Sequence, residues 1–264
     1  MRFGIVTDIH FTAAEDTASL RRSILGWHEN GLRFAFQLGD LIAGEPGTAP
    51  EELDQVIPEL NRYGGTIRHA IGNHCLSIPE NTLLGALGMK MPYYSFQEGG
   101  YRFIVLHGMD VSVLSIPKSA EDRQMLERFH ANPELHDYCG AVGTAQKTWL
   151  KETLELAEQA SEHVIIMCHF PLLPETTDLK HGLLWNHSDI SSIIVSSPSV
   201  RACFSGHYHH GAHAERNGIH FIVLPAFVSQ GADTGFMSGT VEIEGSLLTI
   251  RNQNNVPFHA LQLR

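Results

Sequence analysis

Five times in this chain an apolar run stops and is followed almost at once by residue types that bind metal ions. Arg2-Phe3-Gly4-Ile5-Val6 leads to Asp8-Ile9-His10, Leu32–Leu38 to Gly39-Asp40, and Thr66–Ala70 to Gly72-Asn73-His74. His163–Met167 leads to His169, and Val200–Phe204 to Gly206-His207-Tyr208-His209. Runs of this length and composition read as buried strands. Asp8 and His10 are two positions apart, as are His207 and His209, so in extended backbone each pair shares a face. Strands separated by helical segments pair in parallel, and open α/β sheets bind ligands at the carboxyl ends of their strands.

The segments between the runs fit that scheme. Thr17–Glu29 reads as a helix with Leu20, Ile24 and Trp27 on one side and Asn30-Gly31 as its stop. Glu51–Tyr63 reads as a second, with Leu53, Val56, Ile57 and Leu60 inward and Gly64-Gly65 as its stop; Pro58 predicts a kink or a break. A short helix is expected over Asn81–Gly88. Tyr93–Phe96 and Arg102–Leu106, joined by Gln97-Glu98-Gly99-Gly100, read as an antiparallel hairpin. Residues 107–143 show no clear periodicity and are read as a long surface excursion over the site. Thr144–Ala160 is a helix offering Trp149, Leu150, Leu154 and Leu156 to the core; a long loop at 173–185 leads to a helix over Asp189–Ser197. Ile219–Leu224, Gly239–Ile243 and Leu247–Arg251 read as strands of a second sheet. There are no repeats and no linker, so residues 1–264 are expected to form a single domain.

The formal net charge is -11 and no Lys/Arg-rich run is present, which argues against nucleic-acid backbone or an anionic membrane as the main partner. A small anionic substrate fits if bound metal supplies local positive charge. No stretch is long and apolar enough to span a membrane. Cys75, Cys139, Cys168 and Cys203 show no CxxC spacing and read as reduced thiols of a cytoplasmic protein. A leader cleaved from the first strand would carry Asp8 and His10 away with it.

Asp8, His10, Asp40, Asn73, His169, His207 and His209 are too many donors for one ordinary ion. Their mixture of carboxylate, amide and imidazole suits two divalent ions, with manganese, iron and zinc all compatible. Asp40, on the strand next to that of Asp8, is the natural bridging carboxylate. Two ions about 3.5–4 Å apart, sharing an attacking hydroxide, are the usual arrangement for hydrolysing phosphate esters and anhydrides. His74, next to Asn73, is placed to give a proton or hydrogen bond to the leaving oxygen. Trp185, Asn186 and His187 are candidates to line the pocket, Phe11 to stack a nucleobase, and Pro225-Ala226-Phe227 to form a base-binding edge. His210 and His213 are expected on the rim.

Asp8-x-His10, Gly39-Asp40, Gly72-Asn73-His74, His169 and Gly206-His207-x-His209 together resemble, in order and spacing, the calcineurin-like metallophosphoesterases. The resemblance implies a four-layer α-β-β-α sandwich of two mixed sheets. It also implies a division of ligands, with Asp8, His10, Asp40 and His209 on one ion and Asp40, Asn73, His169 and His207 on the other. One departure stands out: Cys75 follows His74 where the family usually carries an acidic residue that orients the histidine. Within the superfamily, Gln37–Ile42, Tyr101–Leu106, Ser112-Val113-Leu114, Trp185-Asn186-His187 and Gly206–Gly211 are similar to the manganese-dependent ADP-ribose/CDP-alcohol diphosphatases. Those enzymes carry Gln at the place of His10 and Glu at the place of Cys75. His10 instead resembles the bacterial cyclic-nucleotide phosphodiesterases. The resemblance therefore implies a phosphohydrolase acting on a nucleotide-diphosphate compound, with a cyclic-nucleotide phosphodiesterase as the alternative and a non-catalytic metal-binding scaffold as a remote one.

Overall fold

Alternation of side chains along each strand sorts the apolar residues into three buried layers. The computed structural model describes residues 1–13, 17–115, 117, 119–178 and 182–264. Its strands are β1 (Arg2–Val6), β2 (Phe34–Gln37), β3 (Thr66–His69), β4 (Tyr94–Glu98), β5 (Tyr101–Leu106) and β6 (His163–Cys168). They continue with β7 (Val200–Ser205), β8 (Ala212–Arg216), β9 (Ile219–Val223), β10 (Ser238–Glu244), β11 (Leu247–Asn252) and β12 (Pro257–Gln262). The helices are α1 (Ala18–Glu29), α2 (Ala49–Asn61), α3 (Glu80–Ala86), α4 (Ala120–His130), α5 (Thr144–Gln159) and α6 (His187–Ser196).

Two six-stranded mixed sheets result, in the orders β12-β11-β10-β1-β2-β3 and β4-β5-β6-β7-β9-β8. β1, β2 and β3 run parallel, as do β5, β6, β7 and β9. Antiparallel hairpins form three of the four edges, and β3, a parallel strand, is the fourth. Phe3, Ile5, Phe36, Phe103, Ile165, Phe204 and Ile222, drawn from both sheets, share one buried layer between them. The opposite faces carry helices: Leu20 and Ile24 of α1 with Leu53 and Val56 of α2 pack under the first sheet, and Leu150 of α5 with Ile190 of α6 under the second. This is the α-β-β-α sandwich. Among the described residues, no helix is long and apolar enough to cross a membrane.

Several expectations are corrected. The strands at 219–223, 238–244 and 247–252 do not share a sheet. β9 lies parallel to β7, whereas β10 pairs antiparallel with β1 and β11 follows it. β8 and β12 are edge strands that the sequence hides. Ala-His-Ala-Glu-Arg and Pro-Phe-His-Ala-Leu-Gln lack a run of β-branched residues, and half-exposed edges need none. Residues 107–143 are not an irregular excursion. Ser119 Oγ accepts from the Asp122 N–H and starts α4, which buries only Asp122 and Met125 and so shows little periodicity. Asp122 in turn accepts from the N–H and hydroxyl of Thr144 at the start of α5. α2 runs through Pro58 without a break. Leu156 of α5 is 57% exposed rather than in the core. Within the stretches read as long loops, residues 116, 118 and 179–181 lie outside the described residues.

Candidate metal centre

The ends of β1 and β2 stay in register past the strands. The Asp8 N–H donates to Gly39 O at 3.1 Å and the His10 N–H to Asp40 O at 2.9 Å. Asp8, His10 and Asp40 sit in left-handed backbone, with φ of 51°, 47° and 49°, and His207 does so at 66°. Each such non-glycine residue costs on the order of 1 kcal/mol or more, and clusters of them belong to functional sites. Backbone approach is close at two glycines. A methyl group at Gly72 would overlap the Asp40 carboxylate, and one at Gly206 would overlap Thr7 Oγ1 and Asp8 Oδ2. Each glycine lets the end of one strand touch a carboxylate from another.

The residues expected as ligands converge. His10 Nε2 lies 3.2 Å from His209 Nε2, 3.8 Å from Asp8 Oδ1 and 3.7 Å from Asp40 Oδ2. His209 Nε2 is 3.6 Å from Asp8 Oδ1, and His169 Nε2 is 3.2 Å from Asp40 Oδ2. Potential ligand atoms fall into three overlapping groups, each within 4.8 Å: Asp8, His10 and His209; His10, Asp40 and His74; Asp40, His169 and His207. Asp40 and His10 each belong to two groups. Asn73, 6% exposed, sits beside them at the end of the third strand.

Packing two carboxylates among imidazoles sets their protonation. Burial works to raise Asp8, but bonds to His10 and His209 overcome it and hold the carboxyl well below its usual range. Burial is likewise outweighed at Asp40, where His169 brings the carboxyl down to about 2. Burial works against charge on His169, yet Asp40 and Asp8 raise it to about 9; His10 is raised in the same way, by Asp8 and Asp40. The cluster is therefore ion-paired and built for positive charge.

Two buried atoms here, Asn73 Oδ1 and His169 Nε2, have no hydrogen-bond partner. Buried polar atoms are ordinarily satisfied, and orphans of this kind require an account. The His169 ring is fixed by its Nδ1–H, which donates to Leu38 O at 2.9 Å and turns Nε2 inward. That is the usual outer bond of a ligating histidine. Seven O and N donors, two of them unsatisfied and one carboxylate shared between groups, fit two divalent ions.

His74 is oriented without an acidic neighbour. Its Nδ1 lies 2.6 Å from Ala43 O, and its backbone N–H donates to Asp40 Oδ1 at 2.9 Å. A carbonyl only accepts, so Nδ1 carries the hydrogen. Cys75 does not take part. Its sulfur is 1% exposed, accepts from the Leu41 N–H at 3.4 Å, and burial pushes the thiol up to about 11.

The four residues proposed to touch substrate have other work. Phe11 is 2% exposed and packs in the core beneath the first sheet. Trp185, 6% exposed, packs against Phe129 and donates to His136 O. The Asn186 amide clamps the backbone of Val142 from both sides. His187, half-buried, starts α6 near Glu175 and Arg216. Ala226 and Phe227 are buried as well, and their N–H groups donate to His209 O and Thr7 O, bracing the ligand loops. Two residues that periodicity did not single out stand beside His207 instead. Tyr138, 38% exposed, has its ring 5.6 Å from that of His207 and stacks on His136 at 4.9 Å and 6°. Cys139 Sγ is 3.8 Å from His207 Nε2. The motif Asp137-Tyr138-Cys139-Gly140, an aromatic beside glycine in an unpatterned stretch, was the available signal.

Residues 1–211 match a family model described as calcineurin-like phosphoesterase. A protein of Oryza sativa subsp. japonica named manganese-dependent ADP-ribose/CDP-alcohol diphosphatase is 28% identical over 270 residues, covering 85% of this chain and 82% of its own. A Homo sapiens protein of the same name is 25% identical and covers 97% of this chain and 90% of its own. A solved dimetal phosphatase from Danio rerio superposes with a TM-score of 0.85 at 21% identity, over 100% of this chain and 99% of that one, which establishes the likeness of fold.

Proposed function

We infer that this chain, which belongs to the calcineurin-like phosphoesterase family, hydrolyses the diphosphate link of a small nucleotide compound such as ADP-ribose or a CDP-alcohol. It is a metal-dependent phosphohydrolase. The observation that carries the reading is Asp40: a single carboxylate, 1% exposed, whose Oδ2 lies 3.7 Å from His10 Nε2 and 3.2 Å from His169 Nε2. The substrate class is supported by relatives that share one name over most of both chains.

We assign Asp8, His10, Asp40 and His209 to one ion and Asp40, Asn73, His169 and His207 to the second. Manganese is favoured by the relatives' name, and iron and zinc suit the same donors. Two divalent ions, when bound, offset the charge of the phosphates and make water acidic enough to attack at neutral pH. The protein's own groups do the rest. Leu38 O holds the His169 ring in place, with Nε2 turned toward Asp40. With Nδ1–H bonded to Ala43, His74 presents Nε2 to the cleft and, protonated there, gives its proton to the leaving phosphate oxygen. Tyr138 offers an aromatic face beside His207 for the base or ribose. ADP-ribose and water would give AMP and ribose 5-phosphate.

Four buried cysteines that form no disulfide suit a reducing compartment, and we propose the cytoplasm on that ground. We treat residues 1–264 as one domain because both sheets share a buried layer.

His10 favours a second reading, cyclic-nucleotide hydrolysis, because its Nε2 faces His209 as a ligand would. The deciding experiment is a product assay with manganese-loaded protein and ADP-ribose or cyclic AMP as separate substrates. AMP from ADP-ribose supports the diphosphatase. AMP from cyclic AMP alone overturns it in favour of the phosphodiesterase, and AMP from neither leaves the two-metal site standing with the substrate as the open problem.

A further inference from the structure

We propose that His213, Glu215 and His220 form a third metal site, on the outer edge of the second sheet, for a zinc-class dication. His213 and Glu215 alternate along β8, and Glu215 is the register partner of His220 on β9. His213 Nε2 lies 3.1 Å from His220 Nδ1. Two nitrogen donors on one tetrahedral zinc stand about 3.3 Å apart, given Zn–N bonds of about 2.0–2.1 Å. The matching pair in the catalytic centre, His10 and His209, are 3.2 Å apart.

The outer bond of His220 makes the pair more than a chance contact. Its Nε2 lies 2.9 Å from Gln262 O, so Nε2 carries the hydrogen and Nδ1 presents a lone pair toward His213. His169 is held by a carbonyl in the same manner, at its other nitrogen. A backbone carbonyl fixing the far nitrogen is the normal support of a ligating histidine. The imidazole of His220 is 5% exposed, so its direction is set by packing. Glu215 Oε2 stands 4.0 Å from the same Nδ1 on a side chain that is 57% exposed and closes by rotation. His259 of β12, its ring 5.5 Å from that of His213, brings a third imidazole from the edge of the other sheet.

Two imidazoles and a carboxylate select zinc or its neighbours in the first transition row over magnesium or calcium. The site would tie β8 to β9 directly after the loop that carries His207 and His209.

The test strips the full-length protein of metal, adds excess zinc, removes unbound ion by gel filtration and counts zinc per chain. Wild type should hold one ion more than His213→Gln; this difference, not the total, is the readout, so it is independent of how the catalytic centre fills. His213 lies on an exposed face, and circular dichroism checks that the variant is folded. Glu215→Gln should weaken the extra site at least tenfold, and both variants should keep wild-type turnover with manganese. Zinc added to manganese-saturated protein should raise Tm in wild type and leave His213→Gln unchanged. Equal zinc content in wild type and His213→Gln, with equal Tm responses, would overturn the site and leave the pair as a hydrogen bond.

Discussion

His74 Nδ1 lies 2.6 Å from the carbonyl oxygen of Ala43, and the two rings His74 and His10 meet edge to face at 4.5 Å. A main-chain acceptor thus does the work that the family resemblance gives to an acidic side chain following the histidine, where this sequence has Cys75. The arrangement fixes the tautomer and leaves the other nitrogen for chemistry.

Replacing that ring should separate binding from catalysis. His74→Ala is expected to keep both ions and to lose about 10²–10⁴ in kcat on ADP-ribose, the range for a positioned general acid. On a nitrophenyl phosphodiester, whose leaving group needs no proton, the loss should be far smaller. Metal content and the two kcat values check it. Equal losses on both substrates would remove the proton-donor role.

Asp40→Asn should cost at least one ion per chain. The carboxylate serves His10 and His169 at once, and an amide carries no negative charge and offers only one oxygen at that point. Elemental analysis after gel filtration reads this directly, and full two-metal occupancy would refute the shared position.

Gly206→Ala should act on the centre without removing a donor. The added methyl overlaps Thr7 Oγ1 and Asp8 Oδ2, and the Asp8 carboxylate accepts from the His207 N–H at 3.0 Å. Something must shift, at a cost of about 1–3 kcal/mol for overpacking a tight site. A lowered Tm with weakened metal retention is the expected result, and a Tm equal to wild type would show that the loop yields freely.

Tyr138→Ala should raise KM for ADP-ribose by about three- to tenfold, corresponding to about 0.5–1.5 kcal/mol of lost aromatic contact, with kcat nearly unchanged. Tyr138→Phe should retain wild-type KM. Steady-state kinetics on the three proteins distinguish a stacking surface from a residue that merely shapes the loop.

His69 makes stability depend on pH. It is 6% exposed, its Nδ1 is 3.4 Å from Gln37 Oε1, and burial brings its pKa from 6.5 down to about 4. Between those values the unfolded chain takes up a proton that the folded chain refuses. Its full share of stability is therefore present above about pH 6.5 and is lost as pH falls toward 4, by roughly 3 kcal/mol at most. Urea unfolding at pH 7.5, 6 and 5 should show a shallower fall for His69→Gln than for wild type. Parallel curves would count against it.

The convergence of the candidate ligands was readable because each follows an apolar run, and strand ends are where a parallel sheet gathers its loops. His169, alone after its strand, is brought to the cluster by the same rule as the His207/His209 pair. The surroundings of the centre were harder to read. Trp185 and Asn186 look like pocket residues in one dimension, but an indole that fills a core and an amide that holds a backbone carry the same letters. Ala43 orients His74 through its carbonyl, which every residue has, so no side-chain pattern marks it. β8 and β12 went unseen because an edge strand is selected by its neighbour and not by its own composition. For the same reason the sheet membership of β9 and β10 could not be assigned from hydrophobic runs.

β1, the strand that ends in Asp8, lies between β2 and β10, and the Met1 amine donates to Ile243 O, 242 positions away along the chain. During synthesis β1 is made long before β10 and waits through β2 to β9 before its second neighbour exists. Until then one side of β1 is an unpaired edge, and such edges invite association with other chains. A chain halted before β10 would carry all of its candidate ligands on a sheet that has not closed around them.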